Sequence, residues 1–200
     1  MINFFSNINL TSIGAVNLVI QALLFEIAIF LAVPLLGILV ESILVRGVRG
    51  ILARLLGHKG EFIFSNYILC IGVVIHELSH AFFALITGAK IVEVALFKPE
   101  GNSLGHVTFQ TRGNTFTKAL QSSFSASAPV VVGMIISALL LFKIFPIIVP
   151  NWLFILVLYV FVAVVFHMNM SKPDLKAYFK GTFPLLAIFL PISIIAFIIA

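Results

Sequence analysis

Between Tyr67 and Lys90 the sequence reads YILCIGVVIHELSHAFFALITGAK. The run is apolar and long enough to cross a bilayer, which takes about 20 helical residues. Its middle nevertheless holds His76, Glu77 and His80. Ionisable groups in hydrocarbon are costly and mark function unless something pairs with them. The rest of the chain is of the same kind: 62% of residues are hydrophobic, 10% are charged, and the mean hydropathy is +1.22. A soluble domain of 200 residues cannot hide so much apolar surface. The expected fold is therefore an all-α polytopic membrane protein, because helices satisfy their own backbone groups in lipid.

Five hydrophobic spans are expected: about Val16 to Val45 with Pro34 inside it, Phe62 to Thr87, Phe124 to Ile148, Trp152 to Met168, and Phe183 to Ala200. The chain, 1–200, reads as one domain without repeats. MINFFSNINL lacks the basic start of a signal peptide, so no cleaved leader is expected. Cys70 is the single cysteine, which excludes an internal disulfide and favours a packing role.

The connectors differ in kind. Arg46 to Gly60 carries four basic residues and no acid, which suits headgroup anchoring or an amphipathic helix. Between the second and third spans, Ile91 to Phe97 and His106 to Thr111 read as strands of a short β-hairpin around the turn-like Pro99 to Gly105. The connector NMSKPDLKAYFKG holds Asp174, the one aspartate. Lys90, Lys98, Arg112, Lys118, Lys172, Lys176 and Lys180 outnumber Arg46, Arg49, Arg54 and Lys59. Positive charge marks the cytoplasmic side, which puts the hairpin and Asp174 there. The net charge of +5 thus reads as topology and lipid contact, with no nucleic-acid partner expected.

His76 and His80 are four residues apart, so a helix presents both on one face and one ion can take both rings. Neutral imidazole suits zinc, and a catalytic zinc takes three protein ligands. Glu77 flanks the pair as a general base for water. For the third ligand the residues leave Glu93, Glu100, His106, His167 and Asp174 open. Ser171-Lys172-Pro173-Asp174 also fits a helix start, in which Asp174 does no more than cap it and Gly181 closes a short helix. Ser122, Ser123, Ser125 and Ser127 are candidates for water access or for close helix packing. Asn169 is a candidate for polarising a substrate carbonyl, for orienting Asp174 or for capping a helix. Glu26 requires a partner or neutralisation deep in the first span, Glu41 reads as interfacial, and Lys143 as snorkelling.

HELSH in a span, Gly88-Ala89-Lys90 opening a hairpin, SAPVVVG (Ser127 to Gly133) and Asn169 to Asp174 together resemble the site-2 proteases, intramembrane zinc metalloproteases. The resemblance covers about Ile71 to Gly181. Ser79, Ala128 and Leu175-Lys176 stand where that family often has glycine. The resemblance implies a three-helix catalytic core over about 62–181 and one Zn²⁺ per chain on His76, His80 and Asp174. It also implies Glu77 as catalytic base. The expected activity is hydrolysis of peptide bonds in membrane-spanning or membrane-proximal protein substrates, within a multi-pass cell-membrane protein and nearer the cytoplasmic face. Ile91, Val92, Glu93 and Val94 are candidates for binding an extended substrate by strand addition. No segment reads as a soluble substrate-selecting domain, so selection falls to the first and fifth spans, a regulatory membrane partner or a homo-oligomer. Two alternatives stand beside this: a non-catalytic metal-binding membrane scaffold, against which Glu77 argues, and non-haem iron on two histidines and a carboxylate.

Overall fold

A computed structural model describes residues 10–99, 104–148 and 152–199. Helix α1 (Leu10–Leu39) continues through a π-helical stretch, Val40–Val45, into α2 (Arg46–Ile63), and a second π stretch, Phe64–Ile68, leads to α3 (Cys70–Ile86). Strands β1 (Lys90–Ala95) and β2 (His106–Gln110) follow, then α4 (Thr115–Leu139), a third π stretch, α5 (Phe145–Ile148), α6 (Leu153–His167) and α7 (Lys172–Ile199). Three helical stretches are long and apolar enough to cross a membrane: Val19–Ile68, Thr115–Ile148 and Lys172–Ile192. The helices α3 and α6 are apolar but shorter, so the HELSH helix is a 17-residue element and not the longer span expected.

The Arg46 connector is helical and folds back on itself. Gly57 interrupts α2 at φ 73°, a left-handed conformation that a side chain resists. The reversal brings Arg49 Nε onto Glu61 Oε1, which also accepts from Ser65 Oγ at 3.0 Å. Residues twelve apart could not meet along one straight helix, so the ion pair itself records the turn.

The hairpin is antiparallel, with Lys90 opposite Gln110 and Ala95 opposite His106, and a bulge between Ile91 and Glu93. Buried Gln121 fastens its ends to the helices. Its Nε2 donates to the Thr87 and Arg112 carbonyls, and its Oε1 accepts from the Arg112 amide. The hairpin therefore leaves and re-enters the helical bundle at one end.

The four helices α3, α4, α6 and α7 pack through small residues, which allow the backbones to approach closely. A Cβ on Gly72 of α3 would lie 2.1 Å from the Ala163 carbonyl of α6, so only glycine permits that crossing. The helices α3 and α6 run parallel: Gly72 meets Ala163 and His76 meets His167. Past His167 the chain does not turn back. Met168 lies against Gly133 of α4, whereas Tyr178 and Thr182 lie against Ser123. The two helices α6 and α7 thus follow one direction along α4, with a break at 168–171. The expectation of a connector between opposed spans is corrected to a broken helix, and the fifth span begins at Lys172 instead of Phe183. Nor does the helix stop at Gly181: it packs there against the Ala119 carbonyl and Ser123. The core under the break gathers Val40, Val45, Leu69, Val130, Phe166, Met168, Met170 and Tyr178.

Candidate metal centre

HELSH lies on α3 because Cys70 to Ile86 is an unbroken run without proline, and four-residue spacing stacks His76 over His80. What sequence spacing cannot supply is ring orientation. His76 Nδ1 lies 2.7 Å from the His167 carbonyl, and His80 Nδ1 lies 2.7 Å from the Ser125 carbonyl. A carbonyl oxygen only accepts, so each ring carries its proton on Nδ1. Each Nε2 then bears a lone pair, and the two stand 3.2 Å apart. No hydrogen bond can join two acceptors, whereas one cation between them satisfies both.

The third group comes from α7. Asp174 Oδ1 stands 3.7 Å from His80 Nε2. The other oxygen, Oδ2, accepts from the Ser171 amide at 3.0 Å and from the Ser171 hydroxyl, while the Asp174 amide donates to Ser171 Oγ at 3.2 Å. That is a reciprocal cap on α7. One carboxylate oxygen serves the helix start and the other faces the histidines, so capping and ligation coexist in this residue. Among the described residues, His76, His80 and Asp174 are the group able to hold a metal, with ligand atoms all within 4.8 Å of one another.

The donor set fits zinc. Zinc–nitrogen bonds of about 2.0–2.1 Å on a tetrahedral ion put two imidazole nitrogens ~3.4 Å apart, close to the observed separation. Two neutral imidazoles and one carboxylate also leave a fourth position open, as catalytic zinc sites do. The carbonyl partners on Nδ1 are what metal-bound histidines ordinarily carry.

Glu77 is buried on α3 beside His76. Gly105, just before β2, lies against the Glu77 Cγ. His76 and Glu77 line a cavity of about 580 Å³ with Glu41, Arg46, Arg49, Asn66, His167, Asn169 and Lys172. The site thus has the hairpin over one flank and a polar cavity on another.

The remaining expected residues fall into place unequally. Asn169 lines the cavity, and its Nδ2 donates to Glu41 Oε2 at 3.0 Å. Its partner is therefore Glu41 and the cap of α7 is Ser171, which corrects the readings of Asn169 as a helix cap or as the residue orienting Asp174. His167 contributes its carbonyl to His76. Glu93 and His106 pair with each other at 3.7 Å on the hairpin and are not gathered with His76 and His80. The Lys98 hydrogen bond holds the exposed Glu93 carboxyl below its ordinary pKa. Glu100 lies outside the described residues. Two of the serines knit helices, Ser123 donating to the Tyr178 carbonyl and Ser125 to the His80 carbonyl, whereas Ser127 bonds within α4 to the Ser123 carbonyl and Ser122 lines a separate pocket beside Lys118 and Lys180. Glu26 is buried, and no described residue hydrogen-bonds its carboxylate.

The sequence reading missed Glu41, which is part of the cavity and not only interfacial. Glu41 sits in the π-helical stretch Val40–Val45, and such irregularities recur at functional sites. It also missed Asn66, which the second π stretch places on the same cavity. No protein-family model, curated protein or solved structure matches the chain.

Proposed function

We propose that the chain is a zinc-dependent intramembrane metalloendopeptidase, a divergent and minimal relative of the site-2 proteases. The supporting observation is the convergence of His76, His80 and Asp174, with Glu77 buried beside them, inside a bundle of apolar helices. In this reading His76, His80 and Asp174 hold one Zn²⁺. When bound, zinc polarises a carbonyl and lowers the pKa of water toward ~7. Glu77 takes the proton from the attacking water at its carboxylate and delivers it to the leaving amine as the peptide C–N bond breaks. Asn169 has two amide hydrogens and gives one to Glu41, so the other is available to a substrate carbonyl.

The substrate is a membrane-spanning or membrane-proximal protein segment, unwound so that its carbonyl is accessible, and β1 offers Ile91 to Val94 for strand addition. We place the chain in the cell membrane as a multi-pass protein with its hairpin end in the cytoplasm. Lys180 lies with Lys118 at that end, so basic residues still gather there despite the broken helix.

The test is zinc content together with proteolysis of membrane-protein substrates in detergent, wild type against Glu77→Gln. The expected result is one zinc in both proteins and cleavage by the wild type only. Full cleavage by Glu77→Gln overturns the assignment.

A further inference from the structure

Helix α4 carries Pro129 four residues beyond Ser125. Proline has no N–H, so the Ser125 carbonyl lacks the donor that would close that helical turn. In an apolar bundle such a carbonyl is costly unless another donor reaches it. The donor here is a metal-facing histidine: His80 Nδ1–H reaches the Ser125 oxygen at 2.7 Å. The Ser125 hydroxyl returns a bond to the His80 carbonyl at 3.0 Å, and Ser125, Ala128 and Pro129 are all buried. Water therefore does not compete for this oxygen.

Helix α1 contains an internal comparison. Pro34 likewise frees the Phe30 carbonyl, and the Tyr178 hydroxyl takes it at 2.7 Å. That bond ties α1 to α7 and touches none of the metal-facing groups. Both prolines strip a carbonyl of its helical donor, and in both a side chain from a neighbouring helix fills the position.

We propose that Pro129 is a positioning residue of the metal centre: it reserves the Ser125 carbonyl for His80 Nδ1–H and so holds the imidazole in the tautomer that turns Nε2 toward His76 and Asp174. Any other residue at 129 returns a backbone N–H to that carbonyl. The restored helical bond draws the oxygen along the α4 axis and divides its accepting power between backbone and ring. His80 then loses its reason to keep the proton on Nδ1. A proline that only bends α4 would behave otherwise, since its replacement would regularise the helix and leave His80 unchanged.

The experiment reads the histidine directly. Side-chain ¹⁵N spectra of the metal-free full chain in detergent report the tautomer of His80, and competition with a chelator reports the Zn²⁺ dissociation constant. In the wild type His80 should hold its proton on Nδ1. In Pro129→Ala and in Pro129→Gly it should shift to a mixture, and the Zn²⁺ dissociation constant should rise about 10-fold, the lower end of what orienting partners contribute. Pro34→Ala should leave both readouts at the wild-type value. A His80 spectrum unchanged in the Pro129 variants overturns the proposal. So does a shift in Pro129→Ala without one in Pro129→Gly, because both variants restore the same backbone N–H and the proposal requires both to act. The affinity measurement rests on the metalloprotease reading, but the tautomer measurement does not. A wild type that binds no Zn²⁺ would remove that reading while the spectra still decide the role of Pro129.

Discussion

The candidate metal centre and the β-hairpin flank the same glutamate and are built on opposite principles. Each metal-facing side chain is held by a second bond to backbone: His76 to the end of α6, His80 to α4, Asp174 to the start of its own helix. The hairpin has a bulge in β1, exposed Val92, Val94 and Phe97, and a solvent-facing Glu93–Lys98 pair. In the proposed reading the first arrangement suits groups that must be set before a reactant arrives, and the second suits a surface that accepts varied chains. The contrast can be broken or sharpened by substitution at each end.

The largest effect is expected at Glu77. Glu77→Gln keeps the shape and removes the proton acceptor, so turnover should fall by about 10²–10⁴-fold while zinc stoichiometry stays at the wild-type value. Parallel metal analysis and single-turnover cleavage measure both. Next comes Asp174→Asn. Asparagine can still accept from the Ser171 amide, so α7 should keep its cap, but it is a far weaker zinc ligand. The Zn²⁺ dissociation constant should rise by more than the about 100-fold at the upper end for an orienting partner, with helix content unchanged by circular dichroism. Tight zinc binding by this variant would move the third ligand elsewhere and dissolve the contrast from the metal side.

The third prediction concerns the scaffold. In Gly72→Ala the new methyl meets the Ala163 carbonyl at 2.1 Å, and backbone cannot rotate away as a side chain does. Separating α3 from α6 should cost about 1–3 kcal/mol, the usual range for overpacking. It should also weaken zinc binding, because the His167 carbonyl moves with α6. Thermal unfolding in detergent, with and without Zn²⁺, checks both parts.

How much of this could be read from the chain depended on whether the signal was local. The histidine pair is local: four residues apart on an apolar helix, it needs no tertiary information. The hairpin was also local, with β-branched residues flanking a turn. Ser171 to Asp174 announced a helix start, but its four residues do not say whether the new helix reverses or continues, and tertiary packing along α4 decided that. Glu41 gave no signal because its partner Asn169 is 128 residues away and because it sits in a π-helical stretch, where a regular helical period does not place side chains. The carbonyls of His167 and Ser125 are backbone groups that any residue would supply. Only Pro129 hints at the second of them, and its meaning appears once α3 lies alongside. The turn at Gly57 was hidden in a run read as headgroup anchoring or an amphipathic helix, since a single glycine between charged and apolar residues fits either reading.

The smallest effect is expected at the hairpin, and it decides whether that surface takes part in turnover at all. Val92 is the bulge residue, without a partner in β2, and 52% exposed. Proline is tolerated at bulges and sheet edges, where its missing N–H breaks no ladder bond. Val92→Pro should therefore leave unfolding within about 1 kcal/mol of wild type, far from the loss expected for Gly72→Ala. If a substrate segment pairs with β1, the variant lacks one donor that the segment would use. One hydrogen bond is worth about 0.5–1.5 kcal/mol net, which is roughly a two- to tenfold fall in kcat/KM. The loss should appear in KM while kcat is kept, because the chemical groups are untouched, and it should be absent with a short peptide that cannot reach the strand. An unchanged KM for the protein substrate removes strand addition from the mechanism. A fall in kcat instead would mean that the hairpin acts on Glu77 through Gly105, making it part of the over-determined site and no longer its adaptable neighbour.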